Sequence, residues 1–154
     1  MRFFSMIVLG MVLVSFYSCD KNRVYENFYS TGANGWDKDS VAKFQFDIAD
    51  IETRYNLYIN TRNSEQYPYS NLWLFVEVIA PDHTAIRDTV EYQLALTNGK
   101  WSGKGTGGIY LSQLPYRINV FFPVEGTYQV NIQHAMRDEQ LKGLTDIGIR
   151  IEKR

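Results

Sequence analysis

From Val41 to Ile48 the chain reads VAKFQFDI, and Ala42, Phe44, Phe46 and Ile48 are apolar while the residues between them are polar. Period-two alternation puts each class on one face of an extended chain, so the segment predicts a half-buried strand. The same period returns in YNLYINT, where Tyr55, Leu57 and Ile59 oppose Asn56, Tyr58 and Asn60. In TYQVNIQH the residues in phase are Tyr128, Val130 and Ile132, and in TDIGIRIE they are Ile147, Ile149 and Ile151. YRINVFF puts Tyr116, Ile118, Val120 and Phe122 on one face. One run departs: LWLFVEVIA, Leu72 to Ala80, is apolar at both parities except at Glu77, the pattern of a central strand.

Turn residues punctuate these runs. PDHT separates LWLFVEVIA from the alternating AIRDTVEYQL, which predicts a hairpin whose turn is opened by Pro81 and Asp82. Asn98-Gly99 and PVEG mark two further turns. GKWSGKGTGG, with five glycines in ten residues, reads as an irregular loop, and AMRDEQLKGL breaks the period and has room for one helical turn. Seven to nine short strands and no long helical pattern predict an all-β fold, a single antiparallel β-sandwich. A jelly-roll order is one arrangement of it, and an eight-stranded barrel is the competing closure. The polar stretch Asp20 to Asp39 reads as tether and lead-in loop, with Val24 to Phe28 as a short edge strand. The expected division is 1–18 signal peptide, 19–39 tether, 40–154 sandwich.

Composition supports strands and narrows function. Eleven Tyr, nine Phe and three Trp supply β-propensity and core bulk. Removing residues 1–18, which hold one Arg and no acid, leaves 15 basic against 17 acidic side chains, and no basic run remains, so nucleic acid is not an expected partner. Those first residues combine Arg2, the apolar run FFSMIVLGMVLVSFY and small Ser18, the three parts of an export signal. The apolar run is shorter than the roughly 20 residues of a membrane-spanning helix.

Cys19, the chain's one cysteine, follows this signal directly. FYSC, Phe16 to Cys19, resembles a bacterial lipobox, in which the signal is cut before a cysteine that carries acyl chains. A catalytic thiol needs a positioned histidine, and neither His83 nor His134 sits in a nucleophile motif. The hydrophilic neighbours Asp20 to Arg23 argue against a buried thiol. An attachment point is the expected role, and two or more acyl chains anchor stably where one does not.

No catalytic constellation stands out. GKWSGKGT has the wrong spacing for a phosphate-binding loop, and no metal-ligand or nucleophile motif occurs. The chain is therefore expected to be no enzyme and to need no cofactor. Asp37, Asp39 and Asp146 are the donors to consider for a loop calcium. Trp36, Tyr67, Tyr69, Trp101 and Tyr110 fall in or beside turns, where alternation does not force burial; they read either as lids on the core or as an exposed platform for a protein or a glycan. Arg137, Asp146 and Arg150, near the last strand, join them as candidate contacts.

YPYSNLWLFV (67–76), GKWSGKGTGGIY (99–110), FPVEGTY (122–128) and HAMRDEQLKGLTDIGIRIEK (134–153), with WDKDS (36–40) and the lipobox, occur in an order and spacing that resemble GldH, the gliding-motility lipoprotein family. The resemblance implies a non-enzymatic envelope lipoprotein that acts with other gliding-motility proteins, and it carries over one functional residue, the acylated cysteine, onto Cys19. The absence of an acidic cluster after Cys19 favours the periplasmic face of the outer membrane. Cys19→Ala is expected to move the folded domain from the membrane to the soluble fraction on centrifugation; continued sedimentation with membranes counts against the anchor.

Overall fold

The computed structural model describes residues 20–154, so Cys19 and the signal lie outside the described residues. Eleven strands run in order: β1 (Arg23–Ser30), β2 (Trp36–Asp37), β3 (Ala42–Ile48), β4 (Tyr55–Ser64), β5 (Asn71–Ile79), β6 (Ala85–Gln93), β7 (Lys104–Thr106), β8 (Ile109–Val120), β9 (Gly126–His134), β10 (Gln140–Leu141) and β11 (Leu144–Lys153). One sheet has the order β1-β11-β4-β8-β7, the second β3-β9-β5-β6, and β2 pairs with β10 in a small ribbon. Among the described residues no helix occurs.

This strand order is a jelly roll. The chain doubles back at the β5–β6 hairpin, and β4 pairs with β8, β3 with β9 and β1 with β11, all antiparallel. Successive pairs fall in alternate sheets, so the doubled chain winds around one interior. The two sheets pack face to face without closing into a barrel. Ala42, Phe44, Phe46 and Ile48 meet Tyr55, Leu57 and Ile59 across that interior, with Ile147, Ile149 and Ile151 beside them, all buried. Each buried Leu, Ile or Phe among them contributes about 1.5–3 kcal/mol over an exposed one. Strands β3, β4 and β11 thus follow the alternation of their sequences.

Five local expectations change. The described part of the lead-in stretch, 20–39, is largely folded: β1 is an edge strand paired with β11 over Arg23–Ser30, and β2 anchors Trp36, so the sandwich begins at Arg23 rather than at residue 40. A strand whose edge and outer face meet water tolerates the polar composition that suggested a tether. GKWSGKGTGG is no irregular loop throughout. Lys104–Thr106 pairs with Leu111–Ile109 through a two-residue turn at Gly107 and Gly108, whose φ of 61° and 78° is the geometry that matches hairpin twist. AMRDEQLKGL holds β10 instead of a helical turn, because Leu141 is drawn into the core opposite Trp36. Ile118 leaves the phase of Val120: β8 slips register against Leu57, and Asn119 adopts φ 61°, which turns Ile118 outward. Finally, β5 is central in its sheet yet covered on one face only. Leu72, Leu74 and Val76 point inward, while Trp73 and Phe75 are 38% and 50% exposed.

The winding gives the sandwich two distinct ends. The segments 49–54, 80–84 and 121–125 meet the start of β1 and the end of β11 at one of them. There Lys153 is opposite Tyr55 and Tyr55 opposite Val120, and the Lys153 N–H donates to the Asn22 carbonyl at 2.8 Å. Asp20 adjoins this end, which is called the anchor end after the role expected of Cys19. A ring cluster closes it, with Phe122 against Tyr128 at 4.7 Å, Tyr55 at 5.2 Å and Phe46 at 5.8 Å between centroids. The segments 31–41, 65–70, 94–103 and 135–143 form the opposite, distal end, stitched by backbone bonds from Ser64 to Gly143, Lys38 to Glu139 and Leu94 to Ser70. Trp36 is fully buried there, so Trp36→Ala is expected to cost about 3–5 kcal/mol of stability; urea unfolding with an unchanged m-value checks it.

Candidate interaction surface

Four of the five turn aromatics form one chain across the distal end. Tyr69 abuts Tyr67 at 6.0 Å, Tyr67 abuts Trp101 at 6.2 Å, and Trp101 abuts Tyr110 at 5.9 Å. Tyr67 is the pillar of this row: it is only 3% exposed, and its hydroxyl donates to the Asn71 carbonyl at 2.8 Å. Burial pushes its phenol above the usual range. Gly143, at φ +79°, passes so close that a Cβ there would lie 2.3 Å from the Tyr67 nitrogen, which excludes any larger residue.

The flanking rings are held from outside. The Tyr69 hydroxyl donates to Asp138 at 2.7 Å, which raises that phenol, and the Tyr110 hydroxyl donates to Glu65 at 3.2 Å. Tyr69 is exposed, whereas Trp101 and Tyr110 are half-buried. The planes of neighbouring rings differ by 77°, 57° and 38°, an edge-led packing with no shared flat surface.

Trp36 stands apart as a core residue. Its indole N–H donates to the Ser40 carbonyl at 3.0 Å, and its ring meets the edge of His134 at 5.3 Å. Both Trp36 and Tyr67 therefore leave the list of surface contacts and become supports for it.

Arg137 is exposed and joins Tyr69 and Trp73 in a groove of about 370 Å³ that also includes Asn71, Ala135 and Met136. Strand pairing builds this groove. The Ala135 N–H donates to the Trp73 carbonyl at 2.8 Å, which extends β9 alongside β5, and the Trp73 N–H points at the Met136 sulfur at 3.3 Å. Arg137 makes no salt bridge among the described residues. Along the same outer face Phe75 lies next to Gln133 on β9 and Thr89 on β6, so the exposed aromatic surface continues from the rim onto the sheet. Trp73, Phe75 and Met136 are further candidate contacts that sequence reading missed. The available signal was Trp73 and Phe75 standing at the same parity as Glu77, an outward-facing acid.

The remaining candidates are committed to the fold. The Asp146 carboxylate accepts from Thr145 at 2.9 Å and lies 3.9 Å from Arg62. Arg150 is not at the distal end. It pairs with Glu152 at 2.6 Å, with Glu26 at 3.1 Å and with Asp20, and although burial alone would lower its pKa, these carboxylates raise it. The Asp37 carboxylate accepts from Gln140 and from the Asp39 N–H. Among the described residues, no three His, Cys, Asp or Glu side chains gather as a metal site.

These features define a class: a small jelly-roll domain with an aromatic rim at the end opposite the start of its first strand. The chain belongs to the GldH lipoprotein family, whose model matches residues 23–151, from the first residue of β1 to within two residues of the end of β11. A protein of Christiangramia forsetii named gliding motility lipoprotein GldH homolog is 42% identical over 97% of this chain and 96% of its own length. The gliding motility lipoprotein GldH of Flavobacterium johnsoniae is 38% identical over 96% of this chain and 95% of its own. Among solved structures, one of infectious bursal disease virus, Gx strain, aligns with a TM-score of 0.37 and 17% identity over 84% of this chain and 29% of that one, too slight a likeness to bear on function.

His134 gives the distal end a pH dependence. Its Nε2 lies 3.1 Å from the Trp36 carbonyl, which fits a neutral ring donating through Nε2, and Nδ1 is buried without a partner. A proton on Nδ1 would have no acceptor, and burial lowers the pKa from its ordinary 6.5. The unfolded chain thus binds that proton more readily than the folded one. This contribution to stability is complete above about pH 6.5 and is lost as pH falls from there through the lowered folded value. Melting temperatures from pH 8 to pH 5 are expected to decline below pH 6.5 more steeply in the wild type than in His134→Gln.

Proposed function

We propose that the protein is a lipid-anchored, non-enzymatic component of the bacterial gliding-motility machinery, held on the periplasmic face of the outer membrane, where its distal end docks another envelope protein. One observation carries this reading: exposed Tyr69 and Trp73 line one groove with Arg137, which has no ion-pair partner among the described residues, on the end of the sandwich opposite the expected attachment position. Family membership and the names of the two relatives supply the motility context.

The mechanism is positional. A lipid anchor confines the domain to a membrane surface and raises its effective concentration toward anything else held there. The rim then supplies specificity. Tyr, Trp and Arg are the residue types enriched at binding hot spots, and Tyr69, Trp73 and Arg137 line one groove with Met136, an adaptable apolar contact. A protein surface fits these contacts better than a sugar ring does. Glycan stacking uses a flat exposed ring, and the turn aromatics are tilted against one another around the buried Tyr67.

Crosslinking in the native cells, followed by detergent purification and mass spectrometry, tests the proposal. A recurrent envelope protein is expected, and Tyr69→Ala, Trp73→Ala and Arg137→Ala are each expected to weaken its capture by roughly tenfold or more, equivalent to about 1.4 kcal/mol per decade, without loss of fold. Undiminished capture by the triple variant would remove the rim from the docking role. Failure to capture any protein, under conditions that retain a known envelope complex, would bring glycan binding forward.

A further inference from the structure

We infer that the anchor end of the sandwich rests on the bilayer, with Phe121, Ile118 and Ile86 entering the interfacial layer of lipid. The inference builds on the reading of Cys19 as acylated and assigns the membrane a second, non-covalent contact with the protein.

The fold leaves the anchor almost no slack. Arg150 holds the Asp20 carboxylate, the Arg23 N–H donates to the Asp20 carbonyl at 3.3 Å, and the Lys153 N–H donates to the Asn22 carbonyl at 2.8 Å. Asp20 is therefore part of the folded domain, and an extended chain gains at most about 3.3–3.6 Å per residue. An acylated side chain on residue 19 consequently emerges from the domain's own surface. The end of the sandwich beside it has to meet lipid headgroups.

That end is built for such a contact. Ile86 is 61% exposed and both Ile118 and Phe121 are 49% exposed, with Val24 also exposed at the start of β1. Ile86 and Phe121 open onto an apolar crevice of about 220 Å³ between the sheets, whose lining includes Val78, Val120 and Pro123. Some of the charges nearby are engaged within the fold, while Glu52 and Glu125 are exposed with no salt bridge among the described residues and would face the headgroup water. Asp50 accepts from Thr53 and Lys153, which lower it to about 2, and Asp82 accepts from Thr84.

Arg54 supplies the polar half of the contact. Its guanidinium lies 4.3 Å from the centroid of the Phe121 ring and donates to the Asn119 carbonyl at 3.0 Å. An apolar ring capped by a cation suits the headgroup boundary, where the ring enters the acyl region and the guanidinium meets phosphate.

The test uses the acylated full-length protein reconstituted in vesicles of phosphatidylethanolamine and phosphatidylglycerol. Acylation occupies the native thiol, so Phe121→Cys, Ile118→Cys, Ile86→Cys and, at the distal end, Leu96→Cys each present one thiol for a nitroxide label. All four positions are exposed, and circular dichroism checks the fold of each variant. Power saturation then compares collisions with oxygen, which concentrates in lipid, and with a water-soluble nickel chelate. The expected result is oxygen-dominated collision at 121, 118 and 86 and nickel-dominated collision at 96. Protein that floats with the vesicles while all four labels report water overturns the inference and leaves the anchor intact. Protein that does not float overturns the anchor reading, and this inference with it.

Discussion

One dry layer shared by two sheets constrains everything else in this molecule. Each strand of the double winding must give one face to that layer, and a shift of a single residue would exchange its inner and outer side chains. The buried isoleucines of β11 and the buried phenylalanines of β3 satisfy the requirement from opposite sheets. The same parity persists toward the distal end of β4, but the chemistry changes: Thr61 and Asn63 occupy inward positions there, with Ser112 buried on β8. The dry layer is therefore densest with rings near the attachment position and admits polar groups toward the rim.

Strands that alternate strictly were legible from sequence because burial on one face is a local pattern. Ala42 to Ile48 and Ile147 to Ile151 behave as their periodicity demands. What misled was any feature decided by a distant partner. Trp36 stands in a polar stretch and is buried only because β10 and His134 arrive from a hundred residues later. Ile118 has the correct spacing for the core and loses it to a register slip against β4. Trp73 and Phe75 suggested a strand covered on both faces, and only the two-layer architecture shows that their side faces water.

The candidate surface was legible in part for the same reason. Turn aromatics could be picked out by their position between strand runs, and four of the five do meet. Sequence could not reveal that Tyr67 supports the row from within while Tyr69 is presented to solvent, because that distinction rests on how close the 135–143 segment comes. Arg150 had the residue type of a contact and the surroundings of a clamp, three carboxylates drawn from β1, β11 and the residue after the anchor position.

The edge position of β1 bears on how the domain carries load. β1 leaves the anchor end and runs toward the rim, paired with β11 from Arg23 to Ser30. On the proposed function, tension between a lipid at residue 19 and a partner at the distal end would pull along the axis of this strand, so its hydrogen bonds would be sheared together instead of being peeled one after another. The Arg150 cluster sits where that tension enters. An outer strand with one neighbour would thereby be loaded in shear, the direction in which its bonds resist together.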